Sequence, residues 1–309
     1  MSELLTLPVL LGILYSGIRL ATPYLLAALG EMFAQRSGVV NLGVDGIMLM
    51  GAYAAFFVAM TTGSLWLGVL AAMFVGLLMG LLMALVSVTW QAEQGISGIG
   101  LHLFGLGLST LLFKKTLDGA QSITGFQPIK IPVLSELPII GEAFFNQNWM
   151  VYAAFVLVPV AAFVLNKTTL GLSIRAVGSK PEAADSLGVN VNRIRYLCVC
   201  IGGVMAGLGG ASLSIALINL FQEHMTNGMG FIAVALVYFG GWSPFGVMLG
   251  ALLFSFVNAL QLWIQVKGIA IPSDIAIMLP YVLTIAALIF GRRARQPAAL
   301  SKPYQRGES

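Results

Sequence analysis

Long apolar segments, separated by short hydrophilic stretches, run through the whole chain. Residues 46–92 contain no charged side chain, and Glu223 is the only charged residue between Arg195 and Lys267. A bilayer-spanning helix needs roughly 20 consecutive apolar residues. The pattern predicts about nine apolar segments, over residues 7–29, 44–60, 65–89, 96–113, 149–165, 196–217, 228–241, 245–264 and 275–290. The predicted fold class is therefore all-α: a polytopic integral membrane protein with about nine transmembrane helices, in a range of about 8 to 10.

Two features of these segments bear on how they pack. The segment at 228–241 is short for a span, which favours a broken or re-entrant helix. Glycines recur four residues apart in three places: Gly76 and Gly80, Gly203 and Gly207, and Gly246 and Gly250. In lipid this spacing lets helix backbones approach closely, so these glycines are predicted to be helix-packing sites.

The composition agrees with a membrane protein and excludes other classes. Of the 309 residues, 58% are hydrophobic and 9% are charged, whereas a soluble domain carries roughly 25% charged residues. This excludes a soluble globular protein, a disordered chain and a nucleic-acid-binding protein. The net charge of +4 is clustered, so it indicates membrane topology and not a site for a polyanion.

The hydrophilic stretches predict how a single transmembrane domain, residues 1–309, is oriented. Two of them carry five Lys or Arg each: Lys167, Arg175, Lys180, Arg193 and Arg195 in one, and Arg292, Arg293, Arg295, Lys302 and Arg306 in the other. Because basic loops face the cytoplasm, residues 166–195 are predicted to be a cytoplasmic loop and residues 291–309 a cytoplasmic tail. Residues 114–148 are then an extracytoplasmic loop and residues 30–43 lie inside. The N-terminus is outside with nine spans, or inside if a tenth, half-length segment precedes them.

The sequence does not carry the familiar motifs of catalysis. It has no phosphate-binding loop, dinucleotide fingerprint, zinc-protease motif or nucleophile elbow. An intramembrane enzyme or an ion-coupled carrier needs converging titratable groups in its spans. The available groups are few: Arg19, Asp45, His102 and Glu223. We therefore expect that the chain is not an enzyme and has no cofactor and no metal site.

Residues 168–192 form an unusually long polar connection with the signals of a short helix. Pro181 suits the first helical position, and Glu182 then lies in the first turn, where the helix dipole favours an anion. Ala183, Ala184 and Leu187 are expected to form a small apolar face, and Gly188 suits a left-handed helix end. A capped surface helix is suited to docking on a partner, and the alternative interpretation is an ordinary solvated loop.

Residues 30–48 place charged and amide side chains among glycines beside apolar spans. Polar backbone at such a position is tolerated where it packs inside protein or lines a cavity. We expect a structural role that supports a gate, more than direct contact with a substrate, and the alternative is a plain cytoplasmic connection. Arg36 is expected to pair with Glu31 or Asp45, which would lower the cost of burying it.

Both stretches resemble a known family. The run Arg175-Ala176-Val177-Gly178-Ser179-Lys180-Pro181-Glu182-Ala183-Ala184, followed by Leu187-Gly188-Val189, resembles the coupling loop of ABC-transporter permeases for branched-chain amino acids, simple sugars and nucleosides. The run from Gly30 to Met48 resembles the pattern of the nucleoside and simple-sugar permeases, with Gln35 and Asp45 where Glu is more usual. The resemblance covers roughly residues 20–291.

The resemblance implies roles for two sets of residues. The cytoplasmic loop at residues 166–195 would be the coupling loop, and the ATPase contacts would come from Gly178, Lys180, Pro181, Glu182, Ala183, Ala184, Asp185, Leu187 and Gly188. A gate would involve the residues that match the other motif: Glu31, Arg36, Asn41, Asp45 and Gly46.

The resemblance also implies the partners and the location. The chain would be the permease subunit of an ABC importer in the bacterial cytoplasmic (inner) membrane, forming half of a pore with a second, homologous but different permease. A cytoplasmic ATPase would hydrolyse ATP, and an extracytoplasmic binding protein would deliver the substrate. The competing classes are a stand-alone secondary carrier or channel and a membrane-embedded enzyme.

The expected substrate is a small neutral polar solute. The spans carry few charges, so a strongly charged solute would lose hydration without finding counter-charges. Together with the resemblance, this favours a nucleoside, with a simple sugar of the ribose or galactose type as the alternative. Candidate residues of the substrate path are Asn219, Phe221, Asn258, Gln261 and Trp263, although each alone is more typical of helix packing.

Overall fold

The computed structural model describes residues 7–117, 121–130, 140–266 and 296–305, with the single positions 132, 135, 278 and 282. Its helices are α1 (Leu7–Arg36), α2 (Val44–Thr62), α3 (Leu65–Ala84), α4 (Gln94–Thr116), α5 (Ile140–Phe145), α6 (Trp149–Lys167), α7 (Thr169–Ser179), α8 (Pro181–Ser186), α9 (Val191–Ser212), α10 (Met229–Phe239) and α11 (Pro244–Val266). Single turns of π-helix extend α3 over Leu85–Thr89 and α9 over Leu213–Leu217. Two short antiparallel strands, β1 (Ile129–Lys130) and β2 (Asn146–Gln147), pair beside α6.

Seven of the described helices are long and apolar enough to cross a bilayer: α1, α2, α3, α4, α6, α9 and α11. The α10 helix has 11 residues, or about 16 Å at 1.5 Å per residue, so it reaches only about half of a hydrocarbon core roughly 30 Å thick. The all-α, polytopic class is thus confirmed, and so is the short segment at 228–241. The ninth predicted segment, at 275–290, lies outside the described residues except for two positions.

The first helix is longer than the sequence pattern predicted. The apolar segment was expected to end at residue 29, but α1 continues to Arg36 and takes in Glu31 and Gln35. Both of these side chains are buried and hydrogen-bonded to each other. A helix can continue through polar residues where the protein itself supplies their partners.

The α9 helix lies at the centre of the bundle, packed by α1, α2 and α3. Of the residues in the apolar stretch of each span, 78% are buried in α2 and 72% in α9, against 22% in α4. Among the described spans, α4 is therefore the most exposed to the surroundings. The central contacts are made backbone to backbone. A Cβ added to Gly203 would overlap the carbonyl of Gly76, and one added to Gly207 would overlap that of Ala72. The predicted packing role of the glycine pairs is confirmed.

Side-chain caps fix where several helices begin. Asn148 accepts from Val151 N at the start of α6, and Asn190 accepts from Arg193 N at the start of α9. Glu93 caps α4, and hydrogen bonds from the backbone N–H groups of Ile96 and Gly95 lower the pKa of its carboxyl. These caps satisfy amide groups that a helix end leaves without partners.

We predict opposite effects on stability for two glycine substitutions. Gly203→Ala should lower the free energy of unfolding by about 1–3 kcal/mol, the usual cost of overpacking, because its methyl group meets backbone that cannot rotate away. At Gly107 a Cβ finds no atom within 4 Å, so Gly107→Ala should be neutral or raise stability by up to about 1 kcal/mol through helix propensity. Thermal unfolding in detergent measures both. Equal stability of the two variants would contradict the packing.

Candidate functional site

The turn after α1 is built around the buried carboxylate of Glu31. Glu31 Oε1 accepts hydrogen bonds from Gln35 Nε2 and from the backbone N–H of Asn41, both at 3.0 Å. The side chain of Asn41 accepts from Gly43 N at 2.8 Å, which turns the chain into α2. Gln94 on α4 accepts from Val40 N at 2.8 Å. Glu31, Asn41 and Gln94 therefore satisfy three N–H groups of the non-helical backbone between α1 and α2, while Glu31 Oε2 is buried without a hydrogen-bond partner among the described residues.

The last turn of α1 holds the half-length helix α10 at its C-terminal end. Trp242, just after α10, donates its indole Nε1–H to Gln35 Oε1 at 2.8 Å. Arg36 Nε donates to the backbone carbonyl of Trp242, also at 2.8 Å. Gln35 therefore uses both ends of its amide, as a donor to Glu31 and as an acceptor from Trp242. An ionised Glu at position 35 could only accept, so the glutamine that departs from the family pattern has a physical reason here.

The start of α2 holds the other end of α10. Asp45 Oδ1 accepts from the backbone N–H of Gly230, in the first turn of α10, at 2.9 Å, and Asp45 Oδ2 accepts from Thr226 Oγ1 at 3.1 Å. A carboxylate at a helix N-terminus satisfies free N–H groups and is favoured by the helix dipole. We call Gln35, Arg36 and Asp45 the α10 clamp, since together they fix both ends of that helix.

A histidine joins α4 to this end of the clamp. His102 Nδ1 lies 3.5 Å from Asp45 Oδ2, and its ring makes an edge contact with Phe231 of α10. The close approach depends on Gly46, because a Cβ there would lie 2.7 Å from the Cα of His102. Asp45, Gly46 and His102 thus bring α2, α4 and α10 together.

The expected pairing of Arg36 with Glu31 or Asp45 is wrong. Arg36 donates to the Trp242 carbonyl, while Glu31 is held by the α1–α2 turn and Asp45 by α10 and His102. Glu31 Oε1 and both oxygens of Asp45 already accept hydrogen bonds from nearby N–H and O–H groups, and Arg36 satisfies a carbonyl beyond the end of α10. The sequence pattern did not reveal Trp242, Thr226 or Gln94. Of the added partners, only His102 had a signal, as a titratable residue in a span.

The coupling loop forms the expected short helix. α8 starts at Pro181 with Glu182 in its first turn, and Gly188 follows it with a φ of +86°, as predicted. The expected apolar face is different, however. Ala184 is 2% exposed and packs with Val177 and Val191, whereas Leu187 is 85% exposed. The helix ends at Ser186, so Leu187 leaves the helical register and points outwards while Ala184 holds α8 on α7 and α9.

The coupling loop touches the turn that carries the clamp. The Cα of Gly178 faces the backbone carbonyl of Arg36 so closely that a Cβ would overlap it. Arg195, at the start of α9, is 1% exposed and donates Nε to the carbonyl of Ser37 at 3.3 Å. The end of α1 is therefore in direct backbone contact with the loop that ends in α8.

The candidates for a substrate path lie in two separate places. Asn219 and Phe221 follow the π-helical end of α9. There the carbonyl of Asn219 accepts from Ile123 N, and the fully buried Phe221 packs edge-on against Tyr53. The other three, Asn258, Gln261 and Trp263, belong to α11, and Trp263 covers Gly12 of α1.

A cavity of about 290 Å³ lies elsewhere, between α3 and α4, and none of the five candidate path residues lines it. Its lining is almost wholly apolar: Leu82, Met83, Val86, Ser97, Gly100, Leu101 and Phe104.

These features together define a class of protein. The chain is a multi-pass membrane protein with a half-length helix, α10, held inside the bundle and a short helix, α8, on a loop at one face. Broken or half-length helices inside the bundle are typical of membrane transport proteins. Over residues 13–288 it matches the family described as the permease component of branched-chain amino acid transport systems, and it belongs to that family. It is an ABC transporter permease of the cytoplasmic membrane.

Three individual relatives are similar to this chain over nearly its whole length. The chain is 39% identical to TsgC13 of Haloferax volcanii, whose name assigns it provisionally to glucose ABC transport, over 96% of this chain and 98% of TsgC13. It is 37% identical to the guanosine ABC transporter permease NupQ of Bacillus subtilis, over 93% of this chain and 94% of NupQ. It is 36% identical to the nucleoside ABC transporter permease NupC of Lactococcus lactis, over 90% and 92% of the two chains. No solved structure matches the chain.

We predict that Trp242→Phe weakens the clamp without unfolding the bundle. The substitution keeps an aromatic side chain but removes the N–H donor and the pyrrole part of the indole. It leaves the buried acceptor on Gln35 without a partner, at a cost of about 1–3 kcal/mol, to which the lost packing volume adds. Thermal unfolding should shift accordingly, and transport should fall in folded protein. Trp66→Phe is the matched control, because Trp66 is 56% exposed. The same loss of transport in both variants would count against the clamp.

Proposed function

We propose that the chain is one permease subunit of an ABC importer for nucleosides, with ATP hydrolysed on a separate cytoplasmic subunit and not by this chain, which is not an enzyme. The observation that supports coupling to ATP hydrolysis is the backbone contact between Gly178 of the coupling loop and Arg36 at the end of α1. Through it, a displacement of α8 reaches Arg36 and Gln35, which hold one end of α10. Alternating access requires such a connection between the site of energy input and a gate.

The support for a nucleoside combines chemistry with the names of relatives. The two charged groups of the clamp, Arg36 and Asp45, are engaged with protein groups, so neither is held ready as a counter-charge for a charged solute. NupQ and NupC are named for guanosine and nucleosides, and both match nearly the whole chain. The name of TsgC13, which refers to glucose transport, supports a simple sugar as the alternative substrate.

Competition in an uptake assay separates the two substrates. Cells carrying the transporter should accumulate radiolabelled guanosine, and unlabelled purine or pyrimidine nucleosides should reduce this uptake, whereas ribose, galactose and glucose should not. Deletion of the chain should abolish the uptake. If deletion leaves nucleoside uptake intact and removes sugar uptake, the sugar alternative holds.

The proposed partners are the ATPase, a second and different permease, and an extracytoplasmic binding protein. Support for them comes from the family to which the chain belongs and from the resemblance of its coupling loop. Affinity purification of the tagged chain in mild detergent tests the heterodimer, since the complex should contain one copy of this chain and one of another permease. Two copies of this chain in the complex would contradict it.

The proposed ATPase contact is the exposed part of the coupling loop. Lys180, Glu182, Ala183, Leu187 and Gly188 are exposed and can reach a partner. Gly178, Pro181 and Ala184 are buried, so in this proposal they position the surface. A bulky side chain at Ala184 would disturb the packing of α8 itself, which makes Leu187 the cleaner test.

We predict that Leu187→Glu uncouples the permease from the ATPase while leaving it folded. The prediction treats Leu187 as a hot spot of the interface, where removal of the side chain costs about 2 kcal/mol. The affinity for the ATPase, and with it uptake, should then fall roughly 30-fold. Leu187→Met, which keeps the apolar contact, is the control and should behave as the parent. Normal uptake by the glutamate variant would exclude Leu187 from the contact.

The proposed sidedness puts the coupling loop and the tail in the cytoplasm and residues 114–148 outside. Support comes from the Lys and Arg residues of the coupling loop and tail, which favour the cytoplasmic side, and from helix ends that meet in two separate groups. Residues at the end of α1 and the start of α9 contact the coupling loop. At the opposite ends of the spans, Lys114 pairs with Glu223 at 3.6 Å and Ile123 N donates to Asn219.

We predict opposite labelling of two single cysteines. In a background without Cys198 and Cys200, Ser135→Cys should react with an impermeant thiol reagent in intact cells, and Ser179→Cys should react only after the membrane is opened. Both positions can report, because Ser179 is exposed and Ser135 is partly exposed. The reverse pattern would invert the proposed orientation.

A further inference from the structure

The described part of the C-terminal tail, residues 296–305, lies across the coupling loop, the α1–α2 turn and the start of α9. Ala299 N donates to the carbonyl of Gly178 at 2.9 Å, and Ser301 N donates to the carbonyl of Gly38 at 3.1 Å. Arg195 Nη1 donates to the carbonyl of Lys302 at 3.0 Å. Three residues of the tail thus bond to α7, to the α1–α2 turn and to the start of α9.

The end of this segment packs beneath α8 and reaches the α3–α4 connection. Tyr304 packs against the cluster that contains Val177, Ala184 and Val191, the same residues that hold α8 in place. The carbonyl of Tyr304 accepts from Gln91 Nε2 at 3.1 Å. Ala299, in the middle of the segment, is 4% exposed. The tail is therefore part of the packed structure at this face.

We infer that residues 296–305 are a tie that makes α8 and the α1–α2 turn move as one unit, so that the tail belongs to the coupling device. The inference rests on the proposed role of α8 as an ATPase contact. A helix of six residues has little stability of its own, so α8 takes its position from Val177, Val191 and Tyr304. The segment that supplies Tyr304 also bonds to Gly38, two residues after Arg36 of the clamp.

The geometry of the tie explains why it transmits displacement. Its bonds to Gly178 and Gly38 join backbone to backbone, so no side-chain rotation can lengthen them. Gly38 has a φ of +98°, and a Cβ there would lie 3.0 Å from both Ala299 O and Arg195 Nη2. A glycine is needed for this approach. Movement of α8 therefore displaces the tail, and with it the turn that carries Gln35 and Arg36.

Truncation of the assembled transporter tests the tie. The complex of permeases, ATPase and binding protein is reconstituted in liposomes with this chain ending either at Arg295 or, as the control, at Gln305. Three quantities are measured: the ATPase retained, the ATP hydrolysed, and the radiolabelled guanosine taken up, or glucose if the full-length transporter selects a sugar. With the shorter chain the ATPase should be retained and hydrolysis should continue. Uptake per ATP should fall about 5-fold or more, the lower end of typical allosteric couplings.

Two point substitutions test the tie without truncation, so that the test does not depend on the folding of the shortened chain. Ala299→Pro removes the N–H that bonds to Gly178, and Tyr304→Ala removes the contact beneath α8. Both should lower uptake per ATP. Ala298→Ser, at the exposed neighbouring position, is the control and should not.

The outcomes distinguish a tail that transmits the movement of α8 from a tail that only stabilises the fold. If uptake falls only in proportion to the amount of folded transporter, or if uptake per ATP is unchanged in all variants, the tie is overturned. Failure of the proposed function has a different signature, because the full-length chain would then bind no ATPase, and the basis of the tie would go with it.

Discussion

The fold at the functional face depends on burying one carboxylate, that of Glu31, inside a membrane protein. A carboxylate without partners in such a place is very costly. Glu31 Oε1 obtains its partners from the amide of Gln35, one helical turn on, and from the backbone of Asn41. Because the first partner lies on α1 and the second beyond its end, satisfying this oxygen fixes the path of the chain between α1 and α2. Gln35 then extends the network to Trp242, and through it to the end of α10.

The sequence predicts the parts of this arrangement that depend on local rules. Apolar length gives the spans, the shortness of 228–241 gives α10, and Pro181 and Gly188 mark the ends of α8. The glycine pairs give the close contacts around α9. In each case the relevant interaction involves neighbours along one helix, or a property of lipid that applies wherever the segment lies.

The partners of the polar side chains could not be predicted in the same way. Arg36 and Trp242 are 206 positions apart, and a carbonyl acceptor leaves no mark in the sequence, so nearby carboxylates were the natural but wrong expectation. Ala184 and Leu187 show a related limit. Both are apolar and close together, but the helix ends between them, and only the three-dimensional packing decides which one faces the protein. The extension of α1 to Arg36 was hidden because polar residues usually end a span.

Two kinds of contact divide the molecule into a rigid block of helices and a set of elements that can move against it. α1, α2, α3 and α9 meet through glycines at backbone distance, where no side chain can change rotamer, so the four helices form a block that moves as one body. α10, α8 and the tail pack on their neighbours through apolar side chains, and hydrogen bonds from a few side chains and from extended backbone fix their positions. Hydrogen bonds can be exchanged for others at modest net cost, whereas interdigitated backbones can separate only by losing their packing altogether. Conformational change during transport is therefore expected in the hydrogen-bonded elements, and these are the elements that the polar motifs of the sequence mark.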